Sequence, residues 1–146
     1  MAYSGKYYPR HPNKYKGNPT NIVYRSLWER KFMNYCDITE SIDEWASEEF
    51  FIPYRSPLDN RIHRYFPDFF VKYKDKKGKI RCLVIEVKPK RETKMPVRNP
   101  KRRTKSWAYS VQKWAVNDAK WKAAKSFCAD RKYEFKIMTE DDLGIK

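Results

Sequence analysis

Residues 80–88 read IRCLVIEVK, and the fold turns on them. Cys82, Leu83, Val84, Ile85 and Val87 form a short, nearly continuous apolar run, the pattern of a central strand covered on both faces. Alternate residues of a strand share a face. Glu86 and Lys88 therefore point together, and Ile85 and Val87 point the other way. An apolar strand that ends on a Glu and a Lys of one face either solvates them or uses them.

Outward from this strand, the charged stretch KDKKGK (residues 74–79) holds Gly78 and reads as a turn. It joins the central strand to residues 63–73, HRYFPDFFVKY, which are aromatic and partly alternating. The two form a hairpin. A third strand is expected over residues 49–54, EFFIPY, where Pro53 marks an edge or an end. Before it, Tyr24, Leu27, Trp28, Phe32, Tyr35 and Cys36 recur at helical spacing, with Glu29 beside the stripe. After the central strand, residues 106–132 read as a long helix with a stripe of Val111, Trp114, Ala115, Ala119, Ala123 and Phe127. Residues 133–138, YEFKIM, alternate as a last strand. The expected order is helix, three strands, helix, strand: an α/β core.

The segments outside these elements are basic. Residues 1–21 hold three Pro, two Gly and no acid, and read as an N-terminal Tyr/Pro-rich arm. Residues 22–146 read as one domain. Residues 88–105 hold nine Lys/Arg, one Glu and three Pro, so 89–105 read as a basic loop. The whole chain carries 33 Lys plus Arg against 18 Asp plus Glu, a net charge of +15. That charge favours polyanion partners and gives no reason to expect a membrane or small-molecule substrate. Cys36, Cys82 and Cys128 lack zinc spacing and sit in apolar stretches, which suits a reducing compartment. No leader or membrane-length run is read in the sequence.

A hairpin can bring Asp68, which follows Pro67, level with Glu86. Two carboxylates at one spot repel and invite a divalent cation. Asp68 and Glu86, with the backbone carbonyl of Val87, are the expected metal ligands. Lys88 is expected to orient the attacking water of a phosphodiester hydrolysis, and Glu29 to complete the outer shell or bind a second ion. No second His, Ser or Cys accompanies His11 or His63 to make a nucleophilic triad. Lys90, Arg91, Arg98, Lys101, Arg102 and Arg103 of the loop are expected to bind DNA. Lys113, Asn117 and Lys120 share one face of the second helix and are expected to join them. A non-catalytic, basic DNA-binding assembly protein accounts equally for the charge. It does not account for the acid and lysine positions.

In order, SLWER (26–30), FPDFF (66–70) and VIEVKPK (84–90) resemble the PD-(D/E)xK nuclease superfamily. Within it they resemble transposon end-cleaving endonuclease subunits and the head completion nucleases of large contractile-tailed phages. The opening MAYSGKYYPRHPNKYKGNPTNIVYRSLWE is similar to the start of the latter family. The resemblance implies a restriction-endonuclease-like core, a mixed β-sheet flanked by helices. It also implies Mg²⁺-dependent cleavage of double-stranded DNA, with Mn²⁺ as a substitute. It further implies a late role at packaged DNA ends before tail attachment, near head or portal-vertex proteins, in the host cytoplasm or the virion. A Gln-x-x-x-Tyr signature found in many superfamily members does not carry over, because Gln112 is followed four residues on by Val116.

Overall fold

The computed structural model describes residues 3–96 and 105–144. In chain order the elements are β1 (Gly5–Tyr7), a 3-10 turn (Pro12–Lys14), β2 (Ile22–Tyr24), α1 (Leu27–Ile38), β3 (Ile42–Ser47), β4 (Ile52–Arg55), β5 (Ile62–Tyr65), β6 (Phe69–Lys74), β7 (Ile80–Val87), a 3-10 turn (Lys90–Thr93), α2 (Lys105–Arg131) and β8 (Glu134–Met138).

The central sheet has the order β3-β6-β7-β8. β3 pairs β6 and β6 pairs β7 antiparallel, and β7 pairs β8 in parallel. A parallel pair needs a crossover, and α2 supplies it. β6 and β7 form the expected hairpin, closed by Gly78 at φ +77° with its N–H on the Asp75 carbonyl. Ile85 packs on one face with Phe32, Met33 and Cys36 of α1. The other face is covered by α2 and the β4–β5 hairpin, through Trp121, Ala124, Ile52, Tyr54 and Tyr65. This mixed sheet flanked by helices is a restriction-endonuclease-like core.

Five strands, not three, lie between the helices. The stretch 63–73 is two strands, because Pro67 offers no N–H to continue a ladder. β5 then pairs β4, while β6 enters the main sheet. β3 escapes a reading by alternation. Trp45, Ala46 and Ser47 are buried consecutively, and the register slips between Ile42 and Glu44.

Both helix stripes hold in part: Trp28, Phe32 and Cys36 of α1 and Ala119, Ala123 and Phe127 of α2 meet the two core clusters, but other members do not. In α1 the buried residues are Phe32, Met33, Cys36 and Asp37, while Leu27 and Tyr35 are exposed. In α2 they are Asn117, Trp121, Ala124 and Cys128. Lys113, Asn117 and Lys120 thus open the inward face of α2, and Trp121, Ala124 and Cys128 continue it. That face is polar at one end and apolar at the other, so the apolar stripe marks only its second half.

Residues 3–21, expected as an arm, are laid onto the domain. The cause is Asp37, whose carboxylate is fully buried on α1. It accepts the N–H groups of Arg10 at 2.8 Å and His11 at 3.0 Å, and the Tyr7 hydroxyl at 3.3 Å. A buried carboxylate needs such donors. Tyr15 packs edge-on against Trp45 at 4.7 Å, and β1 pairs β2. Its hydroxyl donates to Glu49 at 2.6 Å.

Candidate active site

Three elements converge where β7 emerges from the sheet. The β6–β7 register pairs Phe69 with Ile85, so the next position sets Asp68 opposite Glu86. Two positions on, Pro67 faces Val87. In an antiparallel ladder, Val87 and its partner would exchange both backbone bonds. Pro67 has no N–H to give. The Val87 N–H instead donates to Oδ2 of Asp68 at 2.7 Å. The Lys88 N–H turns the other way, to the Met138 carbonyl at 2.9 Å. The Val87 carbonyl therefore lies on the Asp68 side, with no ladder donor from Pro67.

Asp68 is partly buried and Glu86 is 6% exposed. The indole N–H of Trp121 reaches Oε2 of Glu86 at 3.5 Å. Burial raises the Asp68 pKa well above the usual carboxylate range. The charge of Glu86 and a hydrogen bond to it raise it further, and the Val87 N–H opposes them. A charged Asp68 beside Glu86 is thus disfavoured unless a cation joins it. The donor chemistry fits Mg²⁺: two hard carboxylates and a backbone carbonyl. Lys88, half-buried, shares the strand face of Glu86.

Glu29 stands at the start of α1, whose N-terminus is capped by Ser26 accepting from the Glu29 N–H at 3.2 Å. Burial raises the Glu29 pKa; the Arg25 N–H lowers it, and Glu48 and Glu86 raise it. Glu29 feels the pair but does not close with it. Among the described residues, no three His, Cys, Asp or Glu side chains gather to hold a metal ion.

The expected DNA-binding residues divide. Lys90 pairs with Asp141 at 3.1 Å, and Lys113 with Glu92 at 3.4 Å. Arg91, Lys94, Lys113, Trp114 and Asn117 line a groove between the Lys90–Thr93 turn and α2. Asn117 is buried, not on a solvated face. Lys120 is half-buried over Tyr54 and Tyr65. Arg98, Lys101, Arg102 and Arg103 lie outside the described residues.

Several neighbours of the pair escape sequence reasoning. Tyr65 is 3% exposed beside Glu86, and both Glu86 and Asp68 push its hydroxyl pKa upward after burial. Its place before the Phe66-Pro67-Asp68 break was a usable signal. Trp121 was hidden because the stripe was traced through Trp114. Glu48 has φ +52°, donates its N–H to the Asp68 carbonyl at 3.3 Å, and pairs with Arg25 at 3.1 Å. It follows the unread β3, so no local pattern pointed to it.

Residues 39–140 match the family described as TnsA-like endonuclease N terminal. The chain is also 41% identical to the head completion nuclease of Enterobacteria phage T4. That alignment runs over 146 residues and covers 98% of this chain and 95% of the relative.

Proposed function

Because the chain belongs to the TnsA-like endonuclease N-terminal family, we propose that it is a nuclease that hydrolyses phosphodiester bonds of double-stranded DNA at the Asp68–Glu86 pair, with Mg²⁺ as cofactor. The observation that carries this reading is the meeting of the two carboxylates across the β6–β7 ladder, beside the Val87 carbonyl and Lys88.

Asp68, Glu86 and the Val87 carbonyl would hold the ion. When bound there, a divalent cation supplies Lewis-acid charge to a phosphoryl oxygen and lowers the pKa of a bound water. Lys88 holds the attacking water and offers positive charge to the phosphate as negative charge builds. Trp121 and Tyr65 wall the pair from bulk water on the α2 side, which strengthens each of these interactions. The Val87 N–H keeps one Asp68 oxygen engaged, so the carboxylate is oriented before any ion or substrate arrives. Glu29 acts at longer range, through water.

The basic surface draws the duplex in, and residues 89–105 clamp it. By likeness to the phage T4 head completion nuclease, the cleavage belongs to head completion; packaged genome ends are its proposed substrate. The test is digestion of linear, circular and branched duplexes with and without Mg²⁺. Metal-dependent cutting supports the reading. Tight binding without cutting under any metal would make the chain a DNA-binding assembly protein.

A further inference from the structure

We propose that Lys120 is the general acid of this site, delivering a proton to the sugar oxygen that departs as the phosphodiester bond breaks; the assignment rests on the nuclease reading above. Lys120 comes from α2, which packs over the sheet face that carries Glu86 and Lys88. It falls on the inward side of that helix, between buried Asn117 and buried Trp121, whose indole touches Glu86. Its ammonium lies 5.8 Å from the Tyr54 ring centre and 5.7 Å from that of Tyr65. Lys90, Lys113, Lys122 and Lys136, all more exposed, have carboxylate partners. Among the described residues Lys120 has no carboxylate at ion-pair distance. A half-buried ammonium held by ring faces, and not by an acid, is costly unless a further anion completes it.

A second observation points into the same space. The Tyr65 hydroxyl is buried and points at Glu86, close enough for hydrogen bonding to raise its pKa but without a well-formed bond among the described residues. Buried polar groups are nearly always satisfied. Tyr65 feels both Glu86 and Asp68, and Lys120 sits over its ring. A weakly engaged hydroxyl and an ammonium with no carboxylate at ion-pair distance therefore border the carboxylate pair together, and an oxygen-rich substrate can meet both.

The chemistry needs two cationic groups with different tasks. Displacement at phosphorus puts the attacking and leaving oxygens roughly in line. One lysine, Lys88, sits at the strand end, and the other, Lys120, on the helix above. Five charged or titratable groups bear on Lys120: Glu86, Asp68, Lys88 and the phenols of Tyr54 and Tyr65. Burial lowers its pKa, Glu86 and Asp68 oppose, and Lys88 lowers it again. An ammonium made more acidic in this way is better matched to proton donation near neutral pH.

The step balances as follows. The water oxygen held by Lys88 forms a bond to phosphorus, and its proton passes to solvent. The bond from phosphorus to the leaving sugar oxygen breaks, and the electron pair stays on that oxygen. The oxygen takes a proton from the Lys120 ammonium, leaving a neutral amine that solvent reprotonates.

The experiment compares wild type, Lys120→Met and Lys120→Arg on two duplexes in Mg²⁺. One duplex is ordinary. In the other the leaving oxygen is replaced by sulphur, whose thiolate departs without a proton because thiols ionise near pH 8.5. Arg keeps the charge and the stem but holds its proton too tightly to donate it. Both variants should cut the ordinary duplex about 10²–10³-fold more slowly and the sulphur duplex within about tenfold of wild type. Duplex affinity of Lys120→Arg, measured by anisotropy without metal, should stay within a few fold. Equal losses on the two duplexes, or full activity of Lys120→Arg on the ordinary one, would overturn the assignment. Wild-type inactivity on the ordinary duplex would instead overturn the nuclease reading, and this assignment with it.

Discussion

The Val87 N–H donates to Oδ2 of Asp68 at 2.7 Å, taking the rung of the β6–β7 ladder where Pro67 faces Val87. Each element of the local sequence has a task in that arrangement. Pro67 ends the pairing and leaves the Val87 carbonyl without a ladder donor. Asp68 uses the Val87 N–H to fix its carboxylate. Glu86, next in line on β7, is set beside it. Lys88 follows on the same face. The site is built by the strand geometry itself, with two short sequence stretches in register.

Metal-free stability should depend on pH through Asp68. Its folded pKa is raised by burial and by Glu86, so the folded state keeps a proton that the unfolded chain releases. The stabilising contribution is complete below the ordinary carboxylate value near 4 and is lost as pH rises through the folded value. Wild type without metal should therefore lose thermal stability as pH rises above about 4, and Asp68→Asn should lose less. Mg²⁺ at about a hundredfold above its Kd should restore roughly 3 kcal/mol to wild type and little to the variant. Parallel melting curves for the two proteins would remove the coupling.

Lys88→Ala should slow turnover by at least about 10²-fold and leave Mg²⁺ affinity unchanged. A charged ammonium has no lone pair to give a metal. Titration calorimetry separates the two effects. Loss of Mg²⁺ binding would make Lys88 a support of the fold rather than of the water.

Asp37→Ala should cost roughly 3 kcal/mol, because the carboxylate accepts two N–H groups and a hydroxyl in a fully buried position. Urea denaturation measures it. The same variant should expose residues 3–21 to protease, since those bonds hold the segment to α1. An unchanged urea midpoint would contradict the anchoring role.

Changing Lys101, Arg102 and Arg103 together to Ala should flatten the slope of log affinity against log salt by up to about three units. Turnover at saturating DNA should change far less. An unaltered slope would mean that these residues dock a protein surface and not the duplex.

Most of the site was legible because a strand places alternate residues on one face. IRCLVIEVK and FPDFF therefore fixed Glu86, Lys88 and Asp68 before any coordinates. The hairpin followed from Gly78 and its charged turn. What escaped depends on contacts distant in the chain. β3 owes its place to pairing with β6, not to alternation, so Glu48 at its end was invisible. The inward face of α2 changes from polar to apolar along its length, because its first half crosses the site and its second half meets the core. Lys120 was therefore read as a DNA-facing lysine, and Trp121 was passed over. The N-terminal segment looked like an arm because its composition is polar. The buried Asp37 that holds it gives no signal in a single sequence.

The central claim is that Asp68 and Glu86 make one catalytic metal site. The direct measurement is cleavage of a duplex by wild type, Asp68→Ala and Glu86→Ala in Mg²⁺, alongside duplex affinity measured without metal. The account predicts Mg²⁺-dependent cutting by wild type. Each variant should lose more than about 10³-fold in rate, equivalent to roughly 4 kcal/mol of barrier. Duplex affinity should be kept or slightly improved, because a carboxylate near phosphate is repulsive. Wild-type cutting by either variant would contradict it.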